Sequence, residues 1–175
     1  YLVTDIRCLA RAVKEAFYIA RSGRPGPVLI DIAKDVQLGE TEFEYPDEVN
    51  LPGYKPHLQG NARQIRQAAR MINQAKEPLF IAGRGIIIAQ AEAELRELAE
   101  KAQIPVVTTL LGKRSLPETH PLCLGMGGMH GEAFTNYALQ TADLIVAIGT
   151  RLDDRLTSTA ETFAPSAKII HVDID

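Results

Sequence analysis

Long apolar runs are missing from this sequence. None approaches the roughly 20 residues that a helix needs to cross a bilayer, and no charged-then-apolar leader opens the chain, so neither a membrane span nor a secretory signal is expected. Cysteine is scarce: Cys8 and Cys123 are the only two, and their separation fits neither a metal knuckle nor a redox pair. A disulfide framework is excluded on that count, and a reducing, cytoplasmic setting is expected. An excess of positive charge is lacking too. The formal net charge is -3, with no basic stripe or polybasic run, which leaves nucleic acid and anionic membrane without an electrostatic basis. The four histidines, at 57, 120, 130 and 171, show none of the i, i+3 or i, i+4 spacing of a metal site. No G-x-S-x-G or similar setting supplies a nucleophile for a histidine to activate. Internal repeats and low-complexity segments are absent as well.

What is present is the composition of an ordinary globular protein. Of the 175 residues, 46% are hydrophobic, 23% charged and 6% aromatic, enough to bury a full core. The chain opens on Tyr1 rather than methionine and stops straight after a strand-like run, so a piece cut from a longer polypeptide is expected. Residues 5–21 place Leu9, Val13, Ala16, Phe17 and Ala20 at helical spacing, with Asp5 as N-cap and Gly23 as stop. "GPVLIDI" follows as an apolar strand. Residues 37–60 are acidic, rich in proline and glycine, and aperiodic, which reads as an exposed linker. This divides the chain into 1–36, the tail of a preceding domain, the linker 37–60, and a further domain over 61–175.

In that further domain, Asn61 caps a helix with Ile65, Ala68, Ala69 and Ile72 on one face, and "PLFIAG" is a buried strand. A second helix carries Leu95, Leu98, Ala99 and Ala102; "IPVVTTL", a third helix with "ADLIVAIG", and "AKIIHVDID" continue the alternation. Strands alternating with helices predict an α/β fold: a doubly wound, Rossmann-like parallel sheet with helices on both faces and ligands beyond the carboxyl ends of its strands.

Those strand ends carry small and charged residues: "AGRG" (82–85), "TTLLG" (108–112), "IGTRLDDR" (148–155) and "DID" (173–175). Glycine after a strand allows main-chain N–H groups to come close to a phosphate or a flavin ring; a tight turn is the plainer reading of any one of them. "AGRG" is not the dinucleotide fingerprint, since isoleucines follow where a third glycine belongs. In "GTRLDDR" the arginines can neutralise a pyrophosphate while the aspartates hold them or accept ribose hydroxyl protons; a solvated ion-pair cluster is the alternative. "DID" reads as a ribose-binding acid or as a helix N-cap. His130 alone sits in a glycine-rich loop, where positioning a ligand is the expected role.

"SGRPGPVLIDIAKDV", "THPLCLGMGGMHG", "ADLIVAIGTRLDDR" and "AKIIHVDID", in that order, closely resemble the catalytic subunit of the acetohydroxyacid synthase (acetolactate synthase) family, over essentially the whole chain. The resemblance implies a parent enzyme that decarboxylates pyruvate on thiamine diphosphate and joins the two-carbon unit to a second 2-keto acid, pyruvate or 2-ketobutyrate, in branched-chain amino acid synthesis. It implies a homo-oligomer with a regulatory small subunit, Mg²⁺ beside the thiamine diphosphate, and FAD with no net redox role, held mostly by the central domain. Carried over to this chain, Arg24 reaches the cofactor from the preceding domain. Gly83 and Gly85, then Thr109 and Leu110, line the site; Gly128, Met129, His130 and Gly131 pack along the flavin; Gly149, Thr150, Arg151, Asp153 and Arg155 take the pyrophosphate and ribose; Asp173 and Ile174 take the adenosine end. No catalytic or metal-ligating residue is assigned here: the G-D-G run that holds Mg²⁺ and diphosphate in the family is absent, so this chain alone is expected to be inactive.

The chain departs from the family pattern in several places. Arg84 interrupts a triple glycine, Lys113 and Arg114 replace a Leu-Gly pair, Gly127 replaces a leucine, Leu152 a phenylalanine, and Ala33 a proline. Two other readings compete: the central domain of a glyoxylate carboligase or pyruvate oxidase, and a non-catalytic module with a vestigial nucleotide pocket.

Overall fold

A computed structural model describes residues 1–174; Asp175, the last residue of "DID", lies outside the described residues. The chain folds as two compact units, Tyr1–Gly60 and Asn61–Asp173.

In the first unit, β1 (Leu2–Val3) and β2 (Asp31–Ile32) pair in parallel around the helix α1 (Leu9–Arg21). Asp5 caps the approach: its carboxylate accepts the Arg7 N–H at 3.0 Å and opens a single 3-10 turn, Ile6–Cys8, that runs into α1. Only the last two residues of "GPVLIDI" join a ladder, because β1 offers just two partners. The small core of Val3, Ala12 and Val36 has room for alanines, not rings, so Ala12 and Ala16 are the buried residues of α1 and Phe17 is 65% exposed. A short helix, α2 (Lys34–Leu38), follows. The linker is irregular but fastened: the Lys14 ammonium donates to the carbonyls of Pro46 and Asp47 and stands 5.0 Å from the Tyr45 ring centre. Tyr54 meets Tyr18 edge-on and accepts from the Ser22 hydroxyl at 3.1 Å. These contacts span about thirty positions and leave no local periodicity to read.

The second unit opens with α3 (Ala62–Gln74), where the Asn61 side chain accepts the N–H groups of Arg63 and Gln64, the arrangement expected of an N-cap. Then come β3 (Pro78–Ala82), α4 (Arg84–Ile88), α5 (Glu92–Ala102), β4 (Val106–Thr108), β5 (Cys123–Met126), α6 (Ala133–Thr141), β6 (Leu144–Ile148), α7 (Asp154–Thr157) and β7 (Lys168–Val172). The strands form one parallel sheet in the order β5-β4-β3-β6-β7.

Alternation along the strands divides the core in two. Leu79, Ile81, Val107, Ile145 and Ala147 face α6 and α7 with Leu139, Leu156 and Phe163. Phe80, Ala82, Val106, Leu144 and Val146 face Ile86, Leu95 and Ala99, with Met71 and Ile72 of α3 at the margin. Helices thus cover both faces, and the doubly wound fold is the one the alternating pattern predicts. The helix faces are narrower than the apolar spacing suggests: Ile65 is 58% and Leu98 40% exposed.

β5 is the strand the sequence pattern does not announce. Its Gly125 sits at φ +84°, and the ladder to β4 shifts register between Val106 and Val107, so neither apolar continuity nor alternation marks it.

At the amino ends of the central strands, Asp143 gathers the chain. Its carboxylate accepts the N–H groups of Lys76 at 2.7 Å and Glu77 at 3.0 Å, while its own N–H donates to the Glu77 carbonyl. The Lys76 N–H bond, with Glu77 adding to it, holds the Asp143 carboxyl below the usual carboxylate range.

Candidate functional site

Strand order reverses between β3 and β6: β4 and β5 follow β3 on one side, β6 and β7 on the other. In open α/β sheets that switch point is where a crevice opens beyond the carboxyl ends. The segments leaving β3 and β6, Gly83 with the start of α4 and Gly149–Asp153 with the start of α7, meet there.

They meet backbone to backbone. The Gly83 N–H donates to the Ile148 carbonyl at 2.9 Å, Gly85 to Gly149 at 2.8 Å, and Gly149 to Val172 at 2.8 Å. Gly149 lies at φ +60°, and a Cβ there would stand 2.7 Å from the Gly85 Cα, closer than a real side chain comes. These glycines therefore serve first to let two loops touch. Their amides are engaged within the protein.

The β4 loop joins the same assembly. The Thr109 N–H donates to the Ala82 carbonyl at 3.0 Å, and a Cβ on Gly112 would run into that carbonyl. Leu110, beside it, is 69% exposed. From β5, the Gly127 N–H donates to Thr108 at 3.1 Å. Gly127 has no space for the leucine of the resembling family without movement: its Cβ would stand 2.8 Å from Val107 Cγ1 and 2.9 Å from Leu139 Cδ1.

The 128–131 loop follows. Met129 and His130 are exposed, and the Gly131 N–H closes a turn onto the Gly128 carbonyl at 2.9 Å. Met129 donates its N–H to the Arg155 carbonyl at 2.9 Å, and Arg155 Nη1 lies 3.7 Å from the Met129 sulfur. Beside this loop, Gly128, Met129, Asn136, Leu139, Leu156 and Phe163 help line a cleft of about 250 Å³. That is just under the roughly 300–1,000 Å³ usual for small-molecule pockets.

In "GTRLDDR" the charges divide their work. Asp153 stands at the amino end of α7, and its Oδ2 lies 3.4 Å from Arg151 Nη2. Arg151 and Arg155 are exposed, and Thr150 is buried. The Thr150 carbonyl accepts from His171 Nε2 at 2.7 Å, so that ring nitrogen carries the hydrogen; Asp173 Oδ2 is 3.9 Å from the same nitrogen. Arg84 projects an exposed guanidinium from between Gly83 and Gly85.

Of the expected site residues, the structure brings together Gly83, Gly85, Thr109, Gly149 and Thr150 around the switch point, and links Gly128, Met129 and Gly131 to Arg155. His130 is exposed on that second loop. Asp173 directly follows β7, while Arg24 and Ile174 lie outside the second unit. Asn136, which contacts Gly128 from α6, escapes sequence reasoning because a helical asparagine carries no local signal of what it bonds.

Comparison with known proteins agrees with this architecture. The family described as thiamine pyrophosphate enzyme, central domain, matches residues 65–175. The acetolactate synthase large subunit of Corynebacterium glutamicum is 51% identical over all 175 residues, which cover 28% of that protein. The acetolactate synthase of Arthrospira platensis is 50% identical, again over the whole chain, with 31% of its own length matched. The chain thus spans under a third of these relatives. The X-ray structure of a protein from Mycobacterium smegmatis, described as a thiamin diphosphate-dependent enzyme, superimposes with a TM-score of 0.76 at 26% identity, covering 98% of this chain and 32% of the other. A doubly wound parallel sheet of this order, with a family match across nearly all of it, makes this chain a member of the thiamine pyrophosphate enzyme central-domain family.

Proposed function

We propose that the chain is part of an acetolactate synthase large subunit and that its second unit holds the FAD nucleotide of that enzyme. On this reading residues 1–36 end the pyrimidine-binding domain, 37–60 link it onward, and 61–175 are the central domain. The observation that carries the reading is the identity of about half the positions to acetolactate synthases across the entire chain.

The residues present suit a dinucleotide. The loops at the switch point are tied by their own backbones, which leaves the guanidinium groups of Arg151 and Arg155 at the edge, where phosphate charge is best met by arginine. Asp153 orients Arg151. Met129 offers a polarizable surface to a flat ring, and Asp173 a carboxylate for ribose hydroxyls. FAD would serve there without net redox change.

The parent reaction takes CO₂ from pyruvate and joins the remaining two carbons to pyruvate or 2-ketobutyrate. Thiamine diphosphate with Mg²⁺, held by other parts of the protein, supplies the carbon nucleophile for it. A cytoplasmic homo-oligomer with a regulatory small subunit completes the proposal.

Two measurements test it. Full-length protein titrated with FAD should quench flavin fluorescence saturably, and it should form acetolactate from pyruvate when thiamine diphosphate and Mg²⁺ are supplied. Saturable FAD uptake with tartronate semialdehyde formed from glyoxylate instead would move the chain to the carboligase reading. Absence of FAD uptake, with the protein folded, would favour the vestigial module, for which Arg84, Lys113 and Arg114 are the supporting features.

A further inference from the structure

Asn136 stands on α6, one turn in from the loop that precedes it. Its side-chain oxygen accepts the Gly128 N–H at 2.8 Å, and its side-chain NH₂ donates to the Gly128 carbonyl at 3.0 Å. One amide thereby holds both backbone groups of a single residue. That residue lies at φ +97°, and a Cβ on it would stand 2.5 Å from the Arg155 carbonyl oxygen. Glycine has many other conformations open to it, so something must select this one, and the paired bonds from Asn136 do so. Once Gly128 is fixed, the next N–H, that of Met129, points at the same Arg155 carbonyl, 2.9 Å away.

We propose that Asn136 is a positioning residue for the dinucleotide site: by clamping Gly128 it joins the 128–131 loop to the Arg155 segment, so that Met129, His130 and Arg155 face a ligand as one piece. The proposal rests on the FAD reading above. It extends it by naming a residue that acts through Gly128 and by coupling two ligand-facing segments that leave different strands. The chemistry needs both halves of the amide. An acceptor alone would hold the Gly128 N–H but leave its carbonyl to the Gly131 N–H of the same loop, with no tie to α6.

The test uses full-length protein and three variants. Asn136→Ala removes both bonds; Asn136→Asp keeps the acceptor and sets a carboxylate against the Gly128 carbonyl; Asp143→Asn, at the opposite end of the strands, is the stability control. Without FAD, amide exchange at Gly128 and Met129 should accelerate about tenfold or more in Asn136→Ala and less in Asn136→Asp. FAD affinity, read from flavin fluorescence, should fall about tenfold in Asn136→Ala, with Asn136→Asp between it and wild type. The visible circular dichroism of bound flavin should change in step. Asp143→Asn should lower the unfolding midpoint with FAD affinity unmoved. Wild-type exchange rates in both Asn136 variants would overturn the clamp. Equal losses of FAD affinity in Asp143→Asn and Asn136→Ala would overturn the positioning role, leaving general stability as the cause. Should Asn136→Ala fail to fold, Asn136→Asp decides. Wild-type protein that takes up no FAD refutes the functional reading and the ligand half of this proposal, and the exchange rates still judge the clamp by themselves.

Discussion

The two ends of the central sheet are fastened by opposite means. At the amino end a side chain does it: the Asp143 carboxylate collects the two N–H groups just ahead of β3. At the carboxyl end the fastening depends on having no side chain, since Gly85 and Gly149 let one loop rest directly on another. A carboxylate staple uses up the only functional group at its position. A glycine contact uses none, and the arginines around it stay at the surface. The end proposed to meet a ligand is the end built from glycine.

Breaking the glycine contact should have the largest effect. Gly149→Ala places a Cβ 2.7 Å from Gly85 Cα at a left-handed φ, and strain together with overpacking should cost about 3 kcal/mol, read by chemical denaturation. Leucine at Gly127 should cost less, roughly 1–3 kcal/mol, because the atoms it meets are the side-chain ends of Val107 and Leu139.

At the other end, Asp143→Asn retains an acceptor and loses the charge, so the midpoint should fall by less again. Its pH dependence sharpens the contrast. The folded-state pKa of Asp143 is held below the unfolded value, so its stabilisation is full above the unfolded pKa and is lost as pH falls through the folded one. Wild type and Asp143→Asn should therefore converge in stability on acidification, whereas the deficit of Gly149→Ala should persist. Arg151→Ala should barely move the midpoint, its Asp153 pair being exposed, yet weaken FAD binding several-fold. Lys101→Ala, which removes an exposed pair with Glu97, should leave both unchanged.

How much of this the sequence announces depends on the range of the interaction. Caps at Asp5 and Asn61 are legible because the cap and its amides lie two or three residues apart. The strands β3 and β6 are legible because burial on both faces demands an unbroken apolar run. The rotation of α1 that exposes Phe17 is not, since it depends on how little core β1 and β2 provide. The strand β5 hides behind its glycines. The glycines at the strand ends do mark where the chain segments after β3, β4 and β6 converge, but the amides of Gly83, Gly85 and Gly149 bind neighbouring strands and loops. Which of two chemically reasonable uses a glycine serves is settled by a partner about sixty positions away, and Asn136 shows the same limit at a range of eight.

Because the turns after β3, β4 and β6 are already hydrogen-bonded to one another, little conformational freedom remains there for an incoming molecule to remove. Recognition at this edge should thus resemble a rigid mould more than a closing hand, with the entropic penalty of ordering confined to arginine rotamers and to the Met129–His130 tip.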